Sequence, residues 1–435
     1  MKLKITGKEL LYFNLPMIAG GVMNMLAGNY LMKYATDILL IAPSAMGVIF
    51  LITRIWDALN DPLIGHWSDN TRSSMGRRKI WMAVSILPMI VLFYSLWVSP
   101  FEEYKQQWLM FSMLLFYTAF TGFFVPHYSM AAELSSHYHT RNKIYGYRAL
   151  AENIGVFIGV AVIAMLANKA TAYSNASIIM LLISVFTFFS FIPLFYTFKE
   201  NKITHAIKGS LLQNFIDIFK NKHARIVLMT GFFSQLGATF VFTITLYYTE
   251  YVLKRPQDGS LVIGLFMISA TLSIPLWIRV LKAVEKKSLW IISYLVIAAS
   301  FLSTLFINSD NYYFLYVLTI FSGLAAGAAL MIHPAALADT IDYDKFHTEK
   351  KREGVYFALF TFLNKSSMGV AGLLIGVVLS FARFTPNQEQ SPFSILIIKM
   401  AYALLPFFSF MVAAFVVSRY KFLKNDHAST IEAEN

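Results

Sequence analysis

An apolar stretch from Met46 to Trp67 contains the run Arg54-Ile55-Trp56-Asp57-Ala58-Leu59-Asn60-Asp61-Pro62, with one guanidinium and two carboxylates. Arg54 and Asp57 are three residues apart, and Asp57 and Asp61 four, so on an α-helix all three project from one face. In a membrane-spanning helix each charge costs roughly 2.5–3.5 kcal/mol at the bilayer centre, even on the lenient insertion scale. Such groups persist only where they face a protein interior or a watery cavity and have partners. Two carboxylates one turn apart beside a cation suit an ion site, either as hard oxygen ligands or as a protonatable pair. The plainer alternative is a structural salt bridge between helices.

The rest of the chain makes this a membrane context. Of 435 residues 57% are hydrophobic and 14% charged, where a soluble domain carries about a quarter charged. Apolar segments long enough to cross the hydrocarbon layer recur near 10–40, 44–68, 79–99, 107–133, 146–168, 176–198, 224–253, 260–284, 288–307, 312–339, 354–383 and 393–422. The expected fold is an all-α membrane protein of twelve transmembrane helices. Lysine and arginine orient it. Lys105, Lys169, Lys254, Arg255 and Arg383 are the basic residues of one set of loops, whereas 27 of the 36 fall in the opposite loops and at the two termini. By the positive-inside rule both termini are cytoplasmic, in a bacterial inner membrane. The lysines before the first apolar run do not make a signal peptide, because the run is too long and lacks a cleavage site.

The longest connection on that side falls near the middle, and Ser210 to Lys220 within it has the apolar spacing of an interfacial amphipathic helix. It divides the chain into an N-terminal six-helix bundle (1–198), a central cytoplasmic loop (199–223) and a C-terminal six-helix bundle with a short tail (224–435). The loop Gly65 to Lys79 between spans two and three has a degenerate counterpart, Arg279 to Lys287, between spans eight and nine. Two pseudo-symmetric six-helix halves describe the major facilitator architecture.

Several function classes drop out. The net charge of +12 comes from short clusters between apolar runs, which is topology and not a nucleic-acid surface. There is no cysteine for disulfides or thiolate metal sites. Walker, dinucleotide, zinc-protease and nucleophile-elbow motifs are absent, so the expectation is neither an enzyme nor an ATP-driven pump but a secondary transporter with no cofactor beyond a coupling ion.

The span-two signature Arg54-x-x-Asp57-x-x-x-Asp61-Pro62, followed by Asp69-Asn70-Thr71-Arg72-Ser73 and Gly76, resembles the glycoside–pentoside–hexuronide:cation symporters. Support comes from Tyr30, Tyr34, Thr36 and Asp37, from Ala338-Asp339 with Asp342-Tyr343, and from Lys365 in span eleven. The resemblance covers essentially the whole chain. It implies that Asp57 and Asp61 carry the coupling cation, Na⁺, Li⁺ or H⁺, that Arg54 balances or gates them, and that Lys365 approaches from the C-terminal half. It further implies a small-molecule solute bound between the halves and a monomer as the working unit. The four charges sum to zero, which makes an empty site tolerable in low dielectric.

The departures bear on the solute. In this family's melibiose-transporting member, carboxylates on spans one and four grip galactosyl hydroxyls; aligning from Tyr30 and Pro126 puts Gly21 and Phe124 at those places. Galactoside specificity therefore does not carry over. Candidate solute residues are His127, Tyr128, Arg148, Glu152 (one turn after Arg148 and able to pair with it) and Asn24. An anionic solute would offset the charge of a bound cation. Asp69, Arg77, Asp339, Asp342 and Arg352 fall at cytoplasmic helix ends and suggest a gate network, with a solvated face as the plainer alternative. Lys33, near the outer end of span one, is expected to snorkel. Two other functions stay open: transport of a lysolipid or other amphiphile in the same fold, and a non-transporting membrane sensor.

Overall fold

The computed structural model describes residues 6–134, 138–198, 211–348 and 352–420. Residues 199–210 of the central connection and the tail beyond 420 lie outside them. The chain divides into two compact units, Met1–Ile207 with Pro386–Gln388, and Lys208–Thr385 with Glu389–Asn435.

The first unit is entirely helical among its described elements. It runs α1 (Gly7–Met25), a π-helical turn (Leu26–Tyr30), α2 (Leu31–Asp37), α3 (Pro43–Asn70), α4 (Lys79–Ser95), α5 (Lys105–Glu133), α6 (Tyr138–Met165) and α7 (Lys169–Thr197). The second contains α8 (Leu211–Lys220), α9 (Lys222–Tyr247), a π-helical turn (Tyr248–Val252), α10 (Asp258–Val280), α11 (Lys286–Ser303), α12 (Tyr313–Thr348), α13 (Glu353–Phe381) and α14 (Pro392–Ser418). In lipid every backbone polar group needs an internal partner, which is why apolar runs of this length resolve as helices.

Helix starts follow local chemistry. Thr6 caps α1 through a reciprocal box, its hydroxyl accepting from Glu9 N at 3.2 Å while its own N–H donates to the Glu9 carboxylate at 2.9 Å. Pro43 opens α3 at a position where its missing N–H costs nothing. Asn221 caps α9 by accepting from His223 N and Ala224 N.

Ten described helices or joined helix pairs are long and apolar enough to cross a membrane. The remaining two expected spans are informative. The helix Lys79–Ser95 is apolar but short. α3 has ample length at 28 residues, and Arg54, Asp57 and Asp61 along it lower its hydropathy. The outward surface suits lipid: Leu181, Leu182, Val185, Phe188 and Phe189 of α7 are all exposed.

Within the first unit α1 packs against α6 with almost no separation. A Cβ on Gly21 would sit 2.2 Å from the Glu152 carbonyl oxygen, and one on Gly155 would sit 2.0 Å from the Ile18 carbonyl oxygen. Only glycine permits this approach. The seams containing the second helix of each unit differ. In the second unit α10 and α12 close on each other, with Gly323 against Phe266 and Gly327 against Ala270 and Ser273. In the first, the corresponding α3–α5 seam carries polar side chains.

One expectation at the unit ends changes. Lys33 does not snorkel: it is buried, and its ammonium meets Asp37 at 2.7 Å, with Lys169 reaching the same carboxylate at 3.3 Å. The amphipathic helix α8 clusters with the second unit, burying Ile218 completely. Arg352 fixes it by pairing with Asp344 of α12 at 2.8 Å and reaching Asp217 of α8 at 3.8 Å.

Candidate cation and solute site

α3 and α5 build the charged centre of the first unit. Arg54 and Asp57 are each 2% exposed, and the Arg54 Nη1 lies 3.6 Å from Asp57 Oδ2. At an effective dielectric of about 20 this attraction is roughly 4–5 kcal/mol, while desolvation costs several kcal/mol per ion. The pair is therefore no net source of stability, and its retention needs another reason.

Thr121 of α5 supplies the organising contact. Its hydroxyl lies 3.2 Å from Asp57 Oδ1 and 3.1 Å from Asp61 Oδ1, so one side chain spans both carboxylates. A hydroxyl has one proton to donate and two lone pairs to offer. Between two carboxylates it can satisfy one by donation and still offer an oxygen to a cation. Local backbone chemistry adds oxygen: Pro62 cannot donate to the Ala58 carbonyl, nor Pro126 to the Gly122 carbonyl. Both carbonyls belong to residues adjacent to the carboxylate–threonine cluster. Arg54, Asp57 and Asp61 together carry a net charge of −1, which one monovalent cation or proton neutralises. No group of three or more His, Asp or Glu ligands of the kind a divalent ion favours occurs among the described residues.

Arg54 has a second anchor. Its guanidinium carbon lies 4.5 Å from the centroid of the Tyr117 ring, and the Tyr117 hydroxyl donates to the Ala27 carbonyl at 3.4 Å. Ala27 lies in the π-helical turn of the first span, a deformation common at functional sites. The Nε and Nη2 atoms of Arg54 are buried with no hydrogen-bond partner among the described residues.

The expected solute residues separate. Arg148 of α6 stacks on Tyr128 of α5, its guanidinium carbon 3.5 Å from the ring centroid. Arg148 and Glu152 form no ion pair among the described residues; the arginine goes to the ring instead. Asn24 is exposed on α1. His127 is elsewhere: it is completely buried, stacks on Phe13 at 4.3 Å, and its Nε2 lies 2.9 Å from the Phe13 carbonyl oxygen. That is a helix-packing placement. Gly21 faces the α6 backbone, and the ring of Phe124 lies where a Cβ on Gly20 would be, 2.5 Å away. The places of the two sugar-gripping acids are thus sterically filled.

Of the expected gate residues, Asp69 pairs with Arg78 at 2.7 Å, the residue after Arg77. Asp339 pairs with Lys286 at 2.5 Å, and Arg352 pairs with Asp344 of α12. Arg77, Asp342 and Lys365 make other interactions; Lys365 is half-buried on α13 of the second unit.

Sequence reasoning passed over Thr121, Thr118 and Tyr117. The only available signal was their spacing on span four, where 117, 118 and 121 share a face.

Residues 12–424 match the family described as MFS/sugar transport protein. A zebrafish sodium-dependent lysophosphatidylcholine symporter is 24% identical over 408 residues, covering 82% of this chain and 74% of that protein. An isoprimeverose transporter of Lactiplantibacillus pentosus is 23% identical over 407 residues, covering 91% and 85%. The fold matches a crystal structure of a variant of the nucleoside transporter NupG with a TM-score of 0.68 at 16% identity, covering 93% of this chain and 99% of that one. A multi-pass helical membrane protein with this match over nearly its whole length belongs to the MFS/sugar transport protein family.

Proposed function

We propose that this protein is a cation-coupled symporter of the glycoside–pentoside–hexuronide type, working by alternating access in the bacterial inner membrane with both termini cytoplasmic. One monovalent cation, Na⁺, Li⁺ or H⁺, binds at Asp57, Asp61 and Thr121, with Arg54 offsetting the carboxylates. The solute is a glycoside or hexuronide held in part by Arg148, Tyr128, Glu152 and Asn24. Carrying this reading is the Thr121 hydroxyl spanning two carboxylates of one helix face, 3.2 Å from Asp57 and 3.1 Å from Asp61. The names of the relatives support symport, and the distribution of lysine and arginine supports the orientation.

Transport of a lysolipid or other amphiphile is the second reading. It is favoured by one observation, the Phe124 ring and the closed Gly21 seam where hydroxyl-gripping acids are missing, and by the name of the zebrafish relative.

The test is uptake into proteoliposomes under an imposed Na⁺ or proton gradient, using a neutral glycoside, a hexuronide and a lysophospholipid in parallel. Gradient-driven accumulation of either sugar class supports the first reading. Accumulation of the lysophospholipid alone supports the second, and no gradient dependence for any of them overturns both.

A further inference from the structure

Thr118, one turn before Thr121 on α5, makes three hydrogen bonds with a single hydroxyl. It donates to the Leu114 carbonyl at 2.8 Å, and it accepts from Trp56 Nε1 at 2.9 Å and from Asn60 Nδ2 at 3.1 Å. Because its only proton is committed to Leu114, its oxygen can only accept from α3. This fixes the Asn60 amide with its nitrogen toward Thr118 and its oxygen directed away. Both lone pairs are then used.

Trp56 and Asn60 bracket Asp57 in sequence and immediately precede it and Asp61 respectively. On a helix, Trp56 and Asn60 are neighbours one turn apart, as are Asp57 and Asp61. Two donors of α3 converging on one oxygen of α5 define both the height and the roll of α3 against α5. The carboxylates, each offset by one residue, are thereby turned onto Thr121, one turn further along α5. Trp56 is also 42% exposed, so its indole is not held by burial, and the hydrogen bond to Thr118 is what orients it.

We propose that Thr118 is a positioning residue for the coupling cation. It does not touch the ion; it sets the roll of α3 that brings Asp57 and Asp61 onto one hydroxyl, and so governs cation affinity and the discrimination among Na⁺, Li⁺ and H⁺. This inference rests on the reading that the two carboxylates hold the coupling cation.

The experiment measures apparent affinity for Na⁺ and Li⁺ at several pH values, by cation-dependent thermal stabilisation of the purified full-length protein in detergent. It compares wild type, Thr118→Val, Thr118→Ser and Asp57→Asn. Valine keeps the shape and removes the acceptor, and serine keeps the acceptor. The expected result is about a tenfold loss of cation affinity in Thr118→Val, an altered Na⁺ to Li⁺ ratio, and restoration of both in Thr118→Ser. If Thr118→Val does not fold, weakened donors on the other side, Trp56→Phe and Asn60→Ala, must each shift the Na⁺ to Li⁺ ratio. An unchanged ratio in the valine variant, with the response still abolished by Asp57→Asn, overturns the role of Thr118 and leaves the cation site standing. A wild type that responds to no cation and no pH change overturns the site and this inference together.

Discussion

The guanidinium of Arg54 lies over the ring of Tyr117, 4.5 Å from its centroid. The arginine is thereby held between an aromatic face and the Asp57 carboxylate 3.6 Å away. Tyr117 in turn donates to Ala27 in the π-helical turn of the first span. A cation on the carboxylate pair would weaken the hold of Asp57 on Arg54, and Tyr117 would be the contact through which that change reached the first span.

Tyr117→Phe keeps the ring and loses the hydroxyl, and Tyr117→Leu loses both. The phenylalanine variant should retain cation binding with a stability change of about 1 kcal/mol or less. The leucine variant should lose a further 0.5–2 kcal/mol, roughly the worth of a cation–π contact. In the phenylalanine variant the cation should no longer sharpen solute affinity, which a comparison of solute binding with and without Na⁺ reads directly. Equal coupling in wild type and Tyr117→Phe contradicts this route.

Thr121→Ala removes the group shared by Asp57 and Asp61. Hydrogen bonds to charged groups are worth about 1.5–3 kcal/mol, so cation affinity measured by calorimetry should fall by about one to two orders of magnitude. Thr121→Ser should retain most of it. A loss in the serine variant as large as in alanine would point to packing by the methyl group instead.

Gly21→Asp does not restore a galactoside grip. The new Cβ would meet the Glu152 carbonyl oxygen at 2.2 Å, and forcing α1 from α6 costs about 1–3 kcal/mol or more. The expected outcome is a lower unfolding temperature with no galactoside binding. A stable variant that binds galactosides would show that the seam opens more easily than its geometry implies.

Arg148→Lys separates the two clusters. Lysine keeps the charge but not the planar stacking on Tyr128, so solute affinity should fall while cation-dependent stabilisation is unchanged. Arg352→Ala acts at the other end of the chain's charge pattern. It leaves Asp344, only 6% exposed at its side chain, without its partner, a loss of about 3–5 kcal/mol for a buried pair. Limited proteolysis near α8 should accelerate.

Much of this was legible in the sequence because it is local. The Arg54, Asp57 and Asp61 face follows from helical spacing alone, and the helical segments follow from runs of apolar residues. The close-packing role of Gly20-Gly21 is likewise what adjacent glycines in a span suggest. What escaped is what lies across a seam. Thr121 is 64 residues from Asp57 and 60 from Asp61, and a threonine within a span ordinarily bonds its own backbone, as Thr53 and Thr187 do here. His127 neighbours Tyr128 in sequence but turns into the core onto Phe13, because one residue along a helix is about a quarter-turn in space. Arg148 and Glu152 have pairing geometry, yet the ring of Tyr128 captures the guanidinium.

The central claim is that Asp57 and Asp61 form a cation site. Its most direct test is thermal unfolding of the purified protein in detergent, with Na⁺, Li⁺ or K⁺ at constant ionic strength and across pH, for wild type and Asp57→Asn. A ligand that binds only the folded state stabilises it by mass action, by about 2.7 kcal/mol at a hundredfold excess over its dissociation constant. The account predicts that Na⁺ or Li⁺, or protons alone, raise the wild-type unfolding temperature relative to K⁺ at high pH, and that the rise vanishes in Asp57→Asn. Identical unfolding of the two proteins in every cation and at every pH would contradict it.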